Sequence, residues 1–185
     1  YSSSGACPPA IGVFSEDRPQ CEAHNVGILA GLVAHPEIRQ VVLVARYERY
    51  FSVYGERYLD GLGKVASTLR DAGKHVVVTY PIPKPPGHVP TVLAQYAHAK
   101  RHPADAIIER SAYEAENHET IAFLDRLTRD PAISAARPSD ILCDAQRCAL
   151  YAESKVLYFD ENHLSLTGAR YVLPVFNAAL SETAP

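Results

Sequence analysis

Residues 158–169 read YFDENHLSLTGA. The preceding residues complete a short apolar strand, Lys155–Phe159, and Ser165 is a good N-cap for a closing helix through Leu166, Ala169, Val172, Val175 and Phe176, which Pro174 is expected to kink. Asp160 and His163 therefore stand between the end of a strand and the start of a helix. In an open α/β sheet that is where ligands bind. A histidine base needs its second ring nitrogen held by an acceptor, and an aspartate three residues earlier in a tight turn can provide it. The same spacing also suits a turn-capping aspartate followed by an exposed loop histidine, and both readings stay open on spacing alone.

Working outward, 40-QVVLVARY-47 is a continuous apolar run of the kind found in a strand buried on both faces. In 55-GERYLDGLGKVASTLRDAG-73, Tyr58, Leu59, Leu62, Val65, Ala66 and Leu69 recur at helical spacing, and Gly73 supplies a C-cap. A second buried strand, 74-KHVVVTYP-81, ends in the proline-rich 81-PIPKPPGHVP-90. Strand, helix and strand in this order make a βαβ unit with a parallel sheet. Helices are expected at 91–101 and 111–130. The fold class is α/β, a three-layer sandwich around a mainly parallel sheet.

A chain of 185 residues is long enough for one domain with a substantial core. A formal net charge of −3, with no clustered basic face, gives no reason to expect a nucleic-acid partner. No apolar run is long enough to span a bilayer. The opening YSSSGACPPAIG has neither a basic nor a hydrophobic region of a signal peptide and reads as an interior stretch of a domain. Four cysteines allow three pairings. Local pairing, Cys7 with Cys21 and Cys143 with Cys148, is geometrically the least demanding. It would staple two loops, the longer worth about 3 kcal/mol in a chain-entropy treatment, and imply an oxidising compartment. The alternative is four reduced thiols. Zinc is a poor fit, because neither pair has CxxC spacing and the other histidines (His24, His35, His75, His88, His98, His102 and His118) are scattered, so no metal is expected. Gly61 and Gly63 sit in a helix and match no nucleotide-binding pattern. Tyr47, Tyr50, Tyr54 and Tyr58 could line a sugar cleft or fill the core, and Asp144 belongs to the small cysteine loop.

FDENHLSLTGA resembles the closing block of the SGNH (GDSL-like) hydrolase superfamily, where the Asp and His of a DxxH motif serve a serine nucleophile. SSSGACPP, the later Cys21, VVLVARYERY, VVVTYPIPKPPGHVP and CDAQRC extend the resemblance across nearly the whole chain. Together they are most similar to the periplasmic SGNH domains fused to membrane acyltransferase-3 proteins, the O-acetylases of lipopolysaccharide and other polysaccharides. The resemblance implies that Asp160 and His163 are catalytic, that Gly5 matches the oxyanion-hole glycine, and that no cofactor is needed; Arg46, where the family's third block falls, could donate to an oxyanion or only line the substrate cleft. The implied partners are an acetyl donor, a glycan acceptor and a fused membrane acyltransferase domain, and the implied location is the periplasm, as a domain of an inner-membrane protein. Family members carry the nucleophile in a Gly-Asp-Ser block after the first strand, and no Gly-Asp-Ser occurs here. Residues 1–185 are thus expected to form a single SGNH-like domain, N-terminally incomplete and lacking its first strand, with little activity in isolation. Ser2, Ser3 and Ser4 are the substitute nucleophiles to consider. The Asn that the family's third block offers as an oxyanion donor is replaced here by RYERY. The expected function is polysaccharide O-acetylation by Ser-His-Asp chemistry with the serine supplied from outside these residues. A carbohydrate O-acetylesterase and a non-catalytic glycan-binding module are the competing readings.

Overall fold

The computed structural model describes residues 7–14, 16 and 18–182. In chain order the elements are α1 (Gln20–Ala34), β1 (Gln40–Leu43), α2 (Tyr47–Tyr54), α3 (Glu56–Asp71), β2 (His75–Thr79), α4 (Val89–His98), a 3-10 turn (Pro103–Asp105), β3 (Ile107–Glu109), α5 (Arg110–Leu127), β4 (Ile133–Ala136), α6 (Ser139–Leu142), β5 (Arg147–Ala149), β6 (Tyr151–Ala152), β7 (Lys155–Val156) and α7 (Leu166–Ser181). They gather into two compact units. The first holds the described residues up to Pro81, Glu119–Ala136 and those from Ala179 on; the second holds Ile82–His118 and Arg137–Ala178. No helix among the described residues is long and apolar enough to cross a membrane.

The first unit is built on a parallel sheet in the order β1-β2-β4. The run HVVVT becomes the central strand, and all five of its positions are buried. One face of the sheet presents Val41, Leu43, Val76, Val78 and Ile133 to Leu59, Leu62, Ala66 and Leu69 of α3 and to Leu124 of α5. All six positions read at helical spacing in α3 are buried. Gly73, at φ +74°, ends that helix in a Schellman motif, its N–H donating to the Arg70 carbonyl and the Lys74 N–H to that of Leu69.

Two expectations need correction here. The strand read as 40–47 is only Gln40–Leu43, and it alternates exposed and buried instead of being covered on both faces. Among the described residues β1 pairs with β2 alone, and Val42 and Val44 are 38% and 62% exposed. The chain then turns into α2, and the tyrosine stripe enters the core. Tyr47 and Tyr58 are fully buried with ring centroids 6.3 Å apart, and Tyr50 lies against Tyr58 at 5.5 Å. Desolvation raises the hydroxyl pKa of Tyr47 and of Tyr58, as it must for phenols removed from water.

The loop 7–14 is tied down from three directions. Cys7 is bonded to Cys21, Asn25 donates from Nδ2 to the carbonyls of Pro8 and Ala10, and the Glu22 carboxylate accepts the Gly12 N–H. Gly61 lets this loop lie on α3, because a Cβ there would stand 2.3 Å from the Ile11 carbonyl oxygen.

The second unit has two small antiparallel sheets, β3-β5 and β6-β7, over a core that includes Val89, Leu93, Ile108, Leu142, Leu150, Leu157, Tyr158 and Val172. The apolar run before Asp160 is therefore not a strand of the parallel sheet. Lys155–Val156 pairs back on Tyr151–Ala152 across Glu153 and Ser154, whose positive φ values, 50° and 61°, suit the right-handed twist of a two-residue hairpin. The second disulfide, Cys143–Cys148, closes the CDAQRC loop as the sequence led us to expect, with Asp144 Oδ1 accepting the N–H groups of Gln146 and Arg147 inside it.

Burial sets the cost of truncation in the first unit. Leu62→Ala, at a position with no exposure, is expected to lower unfolding free energy by about 2–5 kcal/mol in urea denaturation. Val42→Ala, on the outward side of β1, is expected to cost under about 1 kcal/mol. Equal losses would contradict the assigned face of the strand.

Candidate functional site

The turn at 160–163 is assembled by its own backbone. Asp160 Oδ1 accepts the N–H groups of Asn162 and His163, each at 2.7 Å, which curls the chain so that His163 comes back over the carboxylate. Asp160 Oδ2 then meets His163 Nδ1 at 2.8 Å. An ionised carboxylate can only accept, so Nδ1 carries the hydrogen and the lone pair of a neutral ring lies on Nε2. The His163 hydrogen bond, followed by the backbone N–H groups, lowers the Asp160 carboxyl to about 2. The imidazole is 74% exposed while Asp160 is only 21% exposed, so the acid is held inside the turn and the base is presented to whatever approaches. The arrangement can take a proton at Nε2 and stabilise the imidazolium that results.

Both flanks of the turn are fixed. Before it, Tyr158 is buried and its hydroxyl donates to the Pro83 carbonyl at 2.8 Å, tying the strand end to the proline-rich loop. After it, Tyr158 and Leu164 form an isolated antiparallel bridge, and the Ser165 N–H donates to Leu157 O. Ser165 caps α7 as its sequence position implied, accepting the Gly168 N–H at 3.0 Å while its own hydroxyl donates to Val156 O. The sequence reading passed over Gly168. A Cβ there would stand 1.9 Å from the Leu157 carbonyl oxygen, so only glycine lets the first turn of α7 lie this close to the strand. A glycine in the first turn of a helix, where propensity disfavours it, was the available signal.

The other nominated residues fare differently. Gly5 and Ser2, Ser3 and Ser4 lie outside the described residues. Arg46 is in the first unit, past the end of β1, and its Nε donates to the Glu48 carboxylate. Glu48, two residues on and unremarked in the sequence, thus engages the guanidinium that was considered as an oxyanion donor. Among the described residues no three metal-ligating side chains gather.

Among the described residues of the first unit, a serine–histidine contact invites the role of nucleophile and base. His75 Nε2 lies 2.8 Å from Ser134 Oγ, both side chains buried. Gln40 decides its chemistry. Its Nε2 donates to the Leu180 carbonyl at 2.7 Å, which fixes the amide orientation, and the same nitrogen faces His75 Nδ1 at 3.2 Å. Nδ1 must then accept, so His75 carries its hydrogen on Nε2 and gives it to Ser134. A serine that receives a hydrogen bond from the ring is not being deprotonated by it. The trio is a structural tie on the sheet.

Two outcomes follow for the turn. By carboxyl-carbon NMR, Asp160 should titrate near pH 2, and His163→Ala should move the midpoint upward, though not fully to the ordinary value of 3.8 because the backbone donors remain. Since the folded carboxyl is depressed, its contribution to stability is complete above pH 3.8 and is lost as the pH falls through about 2. An Asp160 midpoint at 3.8 in the unsubstituted protein would refute the hydrogen-bonded turn. Gly168→Ala should cost about 1–3 kcal/mol in thermal denaturation and raise the Asp160 midpoint, because α7 must retreat from Leu157.

The family model of the SGNH domain (fused to AT3 domains) matches residues 1–178. Among solved structures, the chain is similar to the periplasmic domain of the lipopolysaccharide acetyltransferase of Salmonella ser. Paratyphi A. The TM-score is 0.66 at 12% identity, over 95% of this chain and 69% of that one, so the likeness is one of fold. No curated protein matches the chain. With α/β architecture, a parallel sheet and a family match over nearly its full length, the chain belongs to the SGNH domains of the kind fused to AT3 domains.

Proposed function

We propose that this chain is the extracytoplasmic half of an O-acyltransferase that acetylates a cell-surface polysaccharide. The observation that carries the reading is the Asp160–His163 pair, with Nδ1 held by a depressed carboxylate and the ring presented to solvent. A serine supplied outside the described residues attacks the carbonyl of an acetyl donor, and His163 Nε2 takes the hydroxyl proton as the Oγ–C bond forms. The imidazolium returns that proton to the donor's leaving group as its bond to the acyl carbon breaks. A glycan hydroxyl then gives its proton to Nε2, attacks the acyl-serine and leaves as the acetyl ester, while the serine oxygen recovers the proton. Water in place of the glycan hydroxyl makes the same site an esterase.

The setting supports this reading. Two local disulfides suit an oxidising compartment such as the periplasm, the family is described as fused to AT3 domains, and the similar solved structure is titled a periplasmic domain of a lipopolysaccharide acetyltransferase. In the proposed protein a membrane acyltransferase domain delivers the acetyl donor, and this chain is its inner-membrane-anchored periplasmic partner.

The test is acetyl transfer to surface polysaccharide in the cell that makes the protein. His163→Ala should abolish it. Asp160→Asn, which offers Nδ1 an amide in place of a carboxylate, should reduce it by about 10³- to 10⁴-fold. Undiminished acetylation in His163→Ala would sink the proposal. Release of free acetate without transfer to glycan would assign the esterase reaction instead.

A further inference from the structure

Phe159 stands immediately before Asp160 and is 68% exposed, although its neighbour Tyr158 is buried to 1%. Phe159 lies at a bend just past the isolated Tyr158–Leu164 bridge, and its side chain is exposed where those of Leu157 and Tyr158 enter the core. The pairing across the turn then fixes what lies beside it. Tyr158 bridges Leu164, so the next pair outward is Phe159 opposite His163, and the Phe159 N–H donates to the His163 carbonyl at 2.8 Å. Residues directly opposite on antiparallel segments carry their side chains on one face, with Cβ atoms roughly 5 Å apart. The backbone bond thus holds Phe159 and His163 opposite each other across the turn, and both side chains are exposed. A single exposed apolar residue is ordinary; one held by register next to a histidine that presents its base to solvent is a contact surface.

We infer that Phe159 is a specificity-determining residue, a platform on which a pyranose ring of the acceptor stacks while one of its hydroxyls reaches His163 Nε2. The inference rests on the acyl-transfer reading above and adds the acceptor's mode of binding. The chemistry selects the occupant. An aromatic face is electron-rich, and a pyranose ring offers a face of polarised C–H groups of matching size. An acetyl methyl covers only part of a phenyl face. Alignment at that distance from the base is the positioning that a transfer to a hydroxyl requires, so that the acceptor competes with water.

The experiment follows the initial rate at which labelled acetyl enters the surface polysaccharide in the cell that makes the protein, for Phe159→Ala, Phe159→Leu, Phe159→Tyr and Phe159→Trp. Alanine and leucine should each lower the rate about tenfold, and tyrosine and tryptophan should retain at least about half of it, with the melting temperature of every variant within about 2 °C of the parent. Wild-type rates in alanine or leucine overturn the inference, as does loss in all four, or loss that tracks a fallen melting temperature, since each of these makes the ring dispensable or merely structural. His163→Ala measured alongside separates the two levels. If it abolishes transfer while Phe159→Ala does not, the stacking role alone fails; if it leaves transfer intact, the catalytic reading fails.

Discussion

The approach of helix α7 to the backbone of Leu157 is the constraint on which the geometry of the candidate site depends. The Leu157 carbonyl accepts the Ser165 N–H and lies so close to Gly168 that no β-carbon fits between them. With that contact made, residues 158–164 must span a short gap, and they do so as a bridge between Tyr158 and Leu164 closed by the Asp160 turn. The Asp160–His163 contact is a consequence of that closure. Its aspartate spends one oxygen on the backbone and keeps the other for the imidazole, so the same carboxylate builds the turn and orients the ring.

The two disulfides act in the same manner at other places, substituting covalent closure for hydrophobic burial where the chain has little of the latter. The loop from Cys7 to Cys21 contributes just a few apolar side chains, Ala10 and Val13 among them, to the core of the first unit, and it relies also on Asn25 and Glu22. The CDAQRC loop buries Cys148 and otherwise satisfies its backbone on Asp144. Both pairs hold because their partners are close in sequence, so closure asks little of the rest of the fold.

Two histidine constellations that look alike on paper separate once proton positions are worked out. His75 meets a serine and His163 meets an aspartate, each at 2.8 Å. At His75 a glutamine committed to a carbonyl forces the ring to donate to the serine. At His163 a carboxylate forces the ring to present an acceptor outward. The neighbour on the far nitrogen, not the contact distance, decides which imidazole can serve as a base.

Much of this protein was determined by its sequence alone, for local reasons. The apolar run of β2, the six buried positions of α3, the glycine that ends it and the serine that caps α7 are all short-range preferences of the backbone and of the hydrophobic pattern, and each appears where its residues put it. The Asp160–His163 contact belongs with them only in part: its three-residue spacing permits the turn, and the approach of α7 to Leu157 closes it. Other features needed partners distant in sequence. That Val42 is exposed depends on what the rest of the chain packs over the sheet, and that Tyr47 and Tyr58 fill a core depends on where α2 turns to meet α3. The segment before Asp160 reads as a sheet strand by composition, yet a two-residue turn at Glu153 and Ser154 folds it back on β6. Phe159 beside His163, and Gly168 against Leu157, are matters of register and close approach, which a one-dimensional pattern does not contain because they are set by the chain's return upon itself.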